Sequence, residues 1–215
     1  MRQERETREK LIASGRKEFL EKGYAKASLR KICADAGVTT GALYFIFEGK
    51  EDLFRAIVEP PLEALISMIR AYFAKEKHLL LRSELYVHRE GDHAAAAELF
   101  IRHLYGNYDA FILLLTKSQG TAFEGSLERI AELIEEQFVM QCGLFAERMS
   151  GRQMDAGMLR WMVYMTVDAF VYLLTHEREE QAAAERMKLM INFIVKGFVE
   201  MILSPGKADG DGISL

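Results

Sequence analysis

The sequence predicts an all-α protein, and three observations lead to this fold class. Proline occurs only 3 times in 215 residues. Ala, Leu, Met, Glu, Lys and Arg, which have high helix propensity, fill most of the chain. Apolar residues recur at spacings of three and four, the period of an amphipathic helix. We therefore expect a small N-terminal module of short helices, followed by a larger helical domain.

The charge is unevenly distributed along this chain. The whole sequence has a net charge of -4, with 28 basic and 32 acidic side chains. Residues 1–58 contain 12 Lys and Arg against 9 Asp and Glu, a net charge of +3, so the remainder carries -7. Only the first part can therefore approach a polyanion such as nucleic acid without net repulsion.

Cysteine usage and hydropathy predict a cytoplasmic protein. Cys33 and Cys142 are far apart, and the polar N-terminus has no signal-peptide pattern. The most apolar window, residues 156–175, is about as long as a membrane span. It contains Arg160 and Asp168, however, so we expect a buried helix and no membrane partner.

Short helices with clear end signals are predicted in the first 60 residues. Gly23 and Gly37 are placed to end the first two helices, and Ser28 and Thr39 are placed as N-caps of the second and third. The predicted segments are 7–22, 28–37, 39–47 and a fourth that starts at residue 50.

Longer helices are predicted beyond these. Pro60 and Pro61 predict a kink or a fresh start, because neither fits a helix interior. The stretch REGDH at 89–93 predicts an interior loop, and the tail 205–215 is expected to be disordered. The helical segments are expected at 61–76, 78–89, 94–116, 123–149, 155–176 and 180–203. We divide the chain into domains at 1–50 and 51–204.

The stretch KICADAGVTTGALY, residues 31–44, places a helix-ending glycine between two short helices, which predicts a helix-turn-helix. Gly37 tolerates positive φ, and Val38 can fill the angle between the helices. The second helix of such a motif can enter the major groove of DNA. Gly41 costs that helix about 1 kcal/mol relative to Ala, which indicates close approach of its backbone to DNA.

The run from Glu21 to Phe54 resembles the DNA-binding domain of the tetracycline-repressor (TetR) family of bacterial transcription regulators. Beyond residue 58, only length, helical content and a polar-aromatic interior agree with that family. The matching positions are Gly23, Tyr24, Ser28, Ile32, Ala36, Gly37, Val38, Gly41, Leu43, Tyr44, Phe47, Lys50, Glu51 and Leu53.

The resemblance implies two sets of DNA contacts. Contacts with DNA phosphates are expected from Ser28, Lys31, Thr39, Thr40, Tyr44 and Lys50. Base edges, and thymine methyl groups in particular, are expected at Thr40, Gly41, Ala42 and Phe45. Leu43 and Phe47 are expected in the core, and Tyr44 could also belong there. Because the recognition helix has no Arg, Lys, Asn or Gln, DNA shape is expected to contribute to readout.

The resemblance also implies a homodimer that binds a palindromic operator in double-stranded DNA. We expect the interface on a wide apolar stripe of the last helix. Two recognition helices must reach half-sites about 34 to 36 Å apart, or a multiple of that distance. The stripe is formed by Met187, Met190, Ile191, Ile194, Phe198, Met201 and Ile202.

A small-molecule effector pocket is implied among the inner helices of the larger domain. If Asp168 is buried there, its charge needs a partner, either an arginine such as Arg160 or a cationic effector. Trp161 and Tyr164 share its helix face. The candidate residues are His103, Tyr105, Tyr108, Gln137, Trp161, Tyr164 and Asp168.

We therefore predict a repressor controlled by an effector, with no catalytic residues and no cofactor. The alternative is a DNA-bound helical scaffold that responds to a protein partner, which a fully packed interior would favour. An enzyme with a metal site is the other alternative, but its candidate side chains match no ligand spacing. Those side chains are His88, Asp92, His93, His103 and Cys142.

Overall fold

A computed structural model describes residues 2–82, 90–148 and 156–203, and every regular element in these ranges is an α-helix. The all-α prediction is confirmed for this part of the chain. The helices are α1 (Arg2–Lys26), α2 (Leu29–Ala36), α3 (Thr40–Ile46), α4 (Lys50–Arg82), α5 (Glu90–Gly106), α6 (Tyr108–Thr116), α7 (Ser126–Arg148), α8 (Ala156–His176) and α9 (Glu180–Leu203).

The predicted ends of α2 and α3 are confirmed, whereas α1 begins at Arg2, five residues before the predicted start. The predicted end at Gly23 corresponds to a non-helical residue inside the range of α1, with φ 74° and ψ 162°. The Ser28 hydroxyl accepts the Lys31 N–H at 3.4 Å, and the Thr39 hydroxyl accepts the Ala42 N–H at 3.1 Å. Gly37 ends α2 in the left-handed region, with φ 67° and ψ 33°, where a side chain would be strained. These local signals fix the turn between α2 and α3.

The head of the molecule, α1 to α3, is held against the start of α4 by a close helix contact. Gly15 of α1 is buried, and a Cβ built on it would lie 3.0 Å from Leu53 Cδ2. Leu53 is fully buried and cannot swing away. Glycine at position 15 therefore sets the spacing between α1 and α4.

The fresh helix start that Pro60 and Pro61 could mark does not occur, because α4 continues through both prolines to Arg82. Burial holds the helix on both sides of the pair, at Ile57 and Val58 before it and at Leu62 and Leu65 after it. His103 of α5 donates from Nε2 to the Pro61 carbonyl at 2.8 Å. Tertiary packing here outweighs the local preference of proline.

Two other boundaries differ from the sequence prediction. Within REGDH, residues 90–93 belong to α5, so the loop prediction is wrong there. The single helix expected at 94–116 is divided at Asn107, whose side chain donates to the His103 carbonyl at 3.0 Å. Helices α7 to α9 lie within three residues of prediction. The remaining interior segments, 83–89 and 149–155, and the tail fall outside the described residues.

The apolar stripe of α9 faces the chain's own core where its side chains are described. Met187 is fully buried beside Leu173 of α8, and Met190 and Ile191 pack against the same cluster. Leu189 and Phe193, each 71% exposed, form the outward face instead. The prediction that the stripe is the dimer interface is therefore wrong at Met187, which is fully buried within the chain. Phe198, Met201 and Ile202 fall outside the described side chains.

Helix α8 is long and apolar enough to cross a membrane by length and composition, with a mean hydropathy of 1.2 over the window Gly157–His176. In the fold it packs between α7 and α9. Leu159, Val163 and Leu173 on its inner face are buried. This arrangement is that of a core helix with one partly exposed face.

Gly15→Val is expected to lower the free energy of unfolding by about 1–3 kcal/mol, because the added methyl groups overpack the contact with Leu53. Gly143→Val in α7 is the matched control, since a Cβ there meets nothing within 4 Å. Urea unfolding followed by circular dichroism measures both. Equal losses at the two positions would show that α1 and α4 are not in tight contact.

Candidate functional site

The two faces of α3 have different environments. Leu43 and Phe47 are 0% and 3% exposed and belong to the core, which confirms the expectation for these two residues. Tyr44 and Phe45 are 60% and 77% exposed. A helix of seven residues thus presents two adjacent aromatic rings to solvent.

The N-terminal turn of α3 combines polar groups with an accessible backbone. Thr39, Thr40 and Gly41 are exposed and Ala42 is half-buried. The Thr39 oxygen accepts the Ala42 N–H, and its hydroxyl proton can donate to a further acceptor. A Cβ at Gly41 would meet the Thr39 hydroxyl at 3.8 Å, an ordinary contact. Nothing within this part of the chain therefore requires glycine at position 41.

Ser28, the N-cap of α2, and Lys31 on that helix are exposed, as expected of groups that contact a phosphate. The Lys31 ammonium is 2.6 Å from both carboxylate oxygens of Asp35, one turn further on. The hydrogen bond to Asp35 is the main cause of the raised pKa of Lys31. Lys31 must exchange this exposed pair for a phosphate in order to contact DNA.

Lys50, the first residue of α4, is partly buried. Its ammonium donates to the Ala25 and Ala27 carbonyls at 3.1 and 3.3 Å. It also lies 4.7 Å from the centroid of the Tyr24 ring. Lys50 therefore holds the end of α1 against the start of α4, a role that the sequence did not indicate.

Glu51 connects the head to the segment between α6 and α7. Its Oε1 accepts the Ala122 N–H at 3.0 Å, and the Tyr24 hydroxyl also bonds to this carboxylate. Burial, followed by the bond to Glu51, raises the pKa of Tyr24 from 10.0 to about 12. Folding thus favours the protonated phenol. This contribution to stability is present below pH 10 and is lost as the pH rises toward 12.

Aromatic and backbone contacts strengthen the same junction. Phe123 is buried, and its ring centroid is 6.2 Å from that of Phe54 on α4. The Tyr24 N–H donates to the Lys117 carbonyl at 3.3 Å. The segment 117–125 is therefore attached to α1 at one end and to the start of α4 near the other.

The larger domain contains a cavity of about 190 Å³ with walls from α4 to α9. Twenty of its 24 lining residues are apolar. The polar lining residues are Tyr72, His93, Ser126 and Thr166. Ser126 and Leu127 follow directly after the segment that touches the head, so the cavity and the head share a short connection.

None of the residues predicted to bind an effector is among those that the structure places in the wall of this cavity. His103 binds the Pro61 carbonyl, and the Tyr105 hydroxyl donates to the Leu173 and Glu177 carbonyls. Tyr108 packs against the Tyr105 ring at 5.9 Å. These side chains have structural partners in the fold.

The candidates on α7 and α8 lie away from the cavity as well. Gln137 is half-buried on α7, and Trp161 is 58% exposed. Tyr164 lies 5.7 Å below the guanidinium of Arg160. Trp161 and Asp168 share one face of α8 as their spacing predicts, but this face points outward.

The expected burial of Asp168 is wrong, because Asp168 is exposed on the same outward face. Arg160, its proposed partner, lies 3.7 Å from the Glu135 carboxylate instead. An exposed carboxylate is hydrated and needs no internal counter-charge.

The sequence does not reveal the Tyr72–His93 pair in the cavity wall. The Tyr72 hydroxyl and His93 Nδ1 are 2.7 Å apart and form a hydrogen bond between α4 and α5. No sequence signal links two residues 21 positions apart on different helices. From the sequence, His93 is a candidate only as a metal ligand. Among the described residues, no group of three or more His, Cys, Asp or Glu is placed to hold a metal ion.

Comparisons with known proteins agree with the helix-turn-helix geometry. Residues 11–57 match the family profile of bacterial regulatory proteins, tetR family. The HTH-type transcriptional repressor BepR of Brucella suis biovar 1 (strain 1330) is 37% identical over 82 residues. That match covers 36% of this chain and 39% of BepR, so the chain spans well under half of this relative.

Solved structures resemble the chain over most of its length. PfmR, a TetR family transcriptional regulator from Thermus thermophilus, has a TM-score of 0.59 at 19% identity, covering 86% of this chain and 97% of PfmR. The SmeT–triclosan complex has a TM-score of 0.60 at 17% identity, covering 97% and 99%. At these identities the likeness shows the fold. The profile match places residues 11–57 in the TetR family of bacterial regulatory proteins, and the chain as a whole shares the fold of TetR-family regulators.

Proposed function

We propose that the protein is a transcriptional repressor whose binding to a palindromic operator is controlled by a small molecule in the cavity. Residues 1–50 are the DNA-binding domain, and residues 51–204 bind the effector and form a homodimer. The protein acts in the cytoplasm, without a membrane partner, a cofactor or catalytic activity. The main observation that supports DNA binding is that α3 buries Leu43 and Phe47 and exposes Tyr44 and Phe45 beside a polar N-terminal turn.

The exposed groups of the head suit the two kinds of DNA contact. The hydroxyls of Ser28, Thr39, Thr40 and Tyr44 and the ammonium of Lys31 are available for phosphates. The Phe45 ring and the Gly41 and Ala42 surface are apolar and suit thymine methyl groups. Exposing a Phe to water is unfavourable in the free protein, so contact with an apolar base edge recovers that free energy.

The cavity supports control by a small molecule over control by a protein partner. A scaffold without an effector needs no internal space, whereas this domain keeps about 190 Å³ open among well-packed helices. SmeT, a protein of the same fold, has been solved as a complex with triclosan. The cavity is therefore the proposed effector site.

Two elements connect the cavity to the head. Helix α4 contributes Tyr72 to the cavity wall and Glu51 to the junction. The segment 117–125 lies between cavity residues Leu115 and Ser126, and it contacts α1 through Lys117 and the first turn of α4 through Ala122. A ligand that binds more tightly to one arrangement of these elements than to another increases the population of that arrangement. The fraction of molecules whose head can bind DNA changes with it. A hundredfold change in operator affinity needs about 2.7 kcal/mol of coupling.

The outward face of α8 and α9 is the proposed dimer surface. Exposed apolar side chains lie on α8 at Trp161 and Tyr172 and on α9 at Leu189 and Phe193. A second copy of the chain would remove them from water, as in a four-helix interface. Asp168 lies on the same face of α8 as Trp161 and Tyr172.

Selection from random-sequence DNA, repeated at two salt concentrations, tests the DNA function. We expect enrichment of a palindrome whose half-sites are one or more helical turns apart, because a two-fold dimer presents two copies of α3. Phe193→Glu is expected to give a monomer in sedimentation and to remove the palindromic enrichment. Binding that is salt-sensitive but enriches no sequence would instead favour a DNA-bound scaffold.

Gly41→Ala is expected to move stability and DNA binding in opposite directions. The change raises the free energy of unfolding by up to about 1 kcal/mol, because Ala suits a helix better and space is open. It weakens operator binding by about tenfold or more, because the methyl group blocks the close approach to a base pair. Gly143→Ala is the control, with a gain in stability and unchanged operator binding. Unchanged binding by Gly41→Ala would contradict the proposed approach.

Lys50→Met and Lys31→Met are expected to differ in the salt dependence of operator binding. Replacing Lys31 reduces the slope of log K against log salt by about 0.9 for each phosphate that is no longer neutralised, with little change in stability. Replacing Lys50 leaves the slope unchanged and lowers the free energy of unfolding by about 1–2 kcal/mol, since two hydrogen bonds to carbonyl groups disappear. A reduced slope for Lys50→Met would instead support the phosphate contact that the sequence predicts for Lys50.

A further inference from the structure

Arg8 lies where the inner face of α1 passes beyond the core. That face contains Leu11, Gly15 and Phe19, and Leu11 is the first buried residue of the helix. Arg8 continues the same spacing of three and four residues by one turn toward the N-terminus. Its side chain is exposed but lies on the face that α1 turns toward the rest of the head. A cation at this position therefore lies at the edge of the head.

The guanidinium of Arg8 lies against the C-terminal end of α3. Its Cζ is 5.6 Å from the centroid of the Phe47 ring, over the ring face. Phe47 is the C-cap of α3, is 3% exposed and donates its N–H to the Leu43 carbonyl. Attraction between a cation and a ring face does not require the N–H donors of the cation. The ring therefore positions Arg8 and leaves its donors for another group.

Two neighbouring cations on α1 have carboxylate partners, whereas Arg8 has none among the described residues. Arg5 lies 3.0 Å from the Glu9 carboxylate, and Lys10 lies 2.8 Å from the Glu6 carboxylate. In the part of the chain that the structure describes, neither a carboxylate nor a carbonyl group accepts from Arg8. Its charge is therefore available to an anion outside the chain.

Most of the phosphate contacts proposed so far lie on α2 or at the start of α3. Ser28 and Lys31 belong to the first turn of α2, and Thr39 and Thr40 form the N-terminal turn of α3. Helix α3 has seven residues and is about 10 Å long. The major groove is about 12 Å wide and has a phosphate strand on each side. With α3 across the groove, Arg8 faces the strand on the side of the C-terminal end.

We propose that Arg8, held over the Phe47 ring, binds a phosphate of the DNA backbone beside the C-terminal end of α3. This contact rests on the proposed function, because it requires that α3 enters DNA. Guanidinium and phosphate form charge-assisted and often bidentate hydrogen bonds. Such a contact adds affinity and fixes the orientation of the head, and it does not depend on the base sequence.

The salt dependence of DNA binding by the full chain tests this contact. The probe is the duplex that the wild-type protein selects from random sequence, and fluorescence anisotropy measures its affinity between 50 and 200 mM salt. Arg8→Met is expected to reduce the slope of log K against log salt by about 0.9 per protomer, or about 1.8 per dimer, because one phosphate per head keeps its counterions. The loss of affinity is then about twelvefold larger at 50 mM than at 200 mM salt.

Two further variants separate a phosphate contact from a general effect of charge or folding. Lys17→Met removes one charge from the same helix. Lys17 is exposed and nine residues from Arg8, which is about 2.5 turns, so it lies on the opposite face of α1. We expect an unchanged slope for Lys17→Met. Arg8→Lys keeps the charge without the planar fork, so it is expected to retain the slope with weaker binding. Thermal unfolding shows whether each variant is folded.

The outcomes distinguish this contact from the proposed function. A wild-type protein that binds no DNA would reject both. An unchanged slope for folded Arg8→Met, in a protein whose wild type selects an operator, would reject the Arg8 contact alone. An equal reduction for Lys17→Met would also reject it, because charge anywhere on α1 would then have the same effect. If repeated selection with Arg8→Met changes the preference at one base pair, Arg8 contacts a base and the phosphate assignment is wrong.

Discussion

Helix α4 is unbroken from Lys50 to Arg82, and this continuity constrains the rest of the molecule. At 1.5 Å per residue, its 33 residues span roughly 50 Å. The first turn contains Lys50 and Glu51, which attach α1 and the segment 117–125. Tyr72, about six turns later, lies in the cavity wall. One helix therefore connects the cavity wall to the head, which is the physical basis of the coupling that we propose.

The fold of the head could be predicted because its determinants are local. Ser28 and Thr39 bond to N–H groups three residues ahead, and Gly37 has the backbone conformation that ends α2. Each signal acts within one helical turn, so it is visible in a short stretch of sequence. The contact between Gly15 and Leu53 was not visible, because it joins residues 38 positions apart. The role of Lys50 depends on a similar long-range contact.

The larger domain shows what periodicity leaves undetermined. Trp161 and Asp168 were correctly placed on one face of α8, but both sides of this helix carry apolar residues. Periodicity shows which residues share a helix face, but it does not show which face is buried. Packing against α7 and α9 leaves the face with Trp161 and Asp168 exposed to solvent. Met187 on α9 shows the reverse: the sequence predicts that it lies on the outer surface, in the dimer interface, but it is buried inside the chain. The Tyr72–His93 pair required the packing of α4 on α5, which no single helix encodes.

The two faces of α9 have a consequence for how related proteins diverge. Ile191 and Ile194 line the cavity, while Leu189 and Phe193 lie on the outward apolar face. A substitution that reshapes the cavity from α9 therefore also disturbs the surface on its other side. The α5 wall at Ala96 and Phe100 carries no such double constraint from the outward face. Divergence in ligand preference is thus expected to accumulate on α5 sooner than on α9.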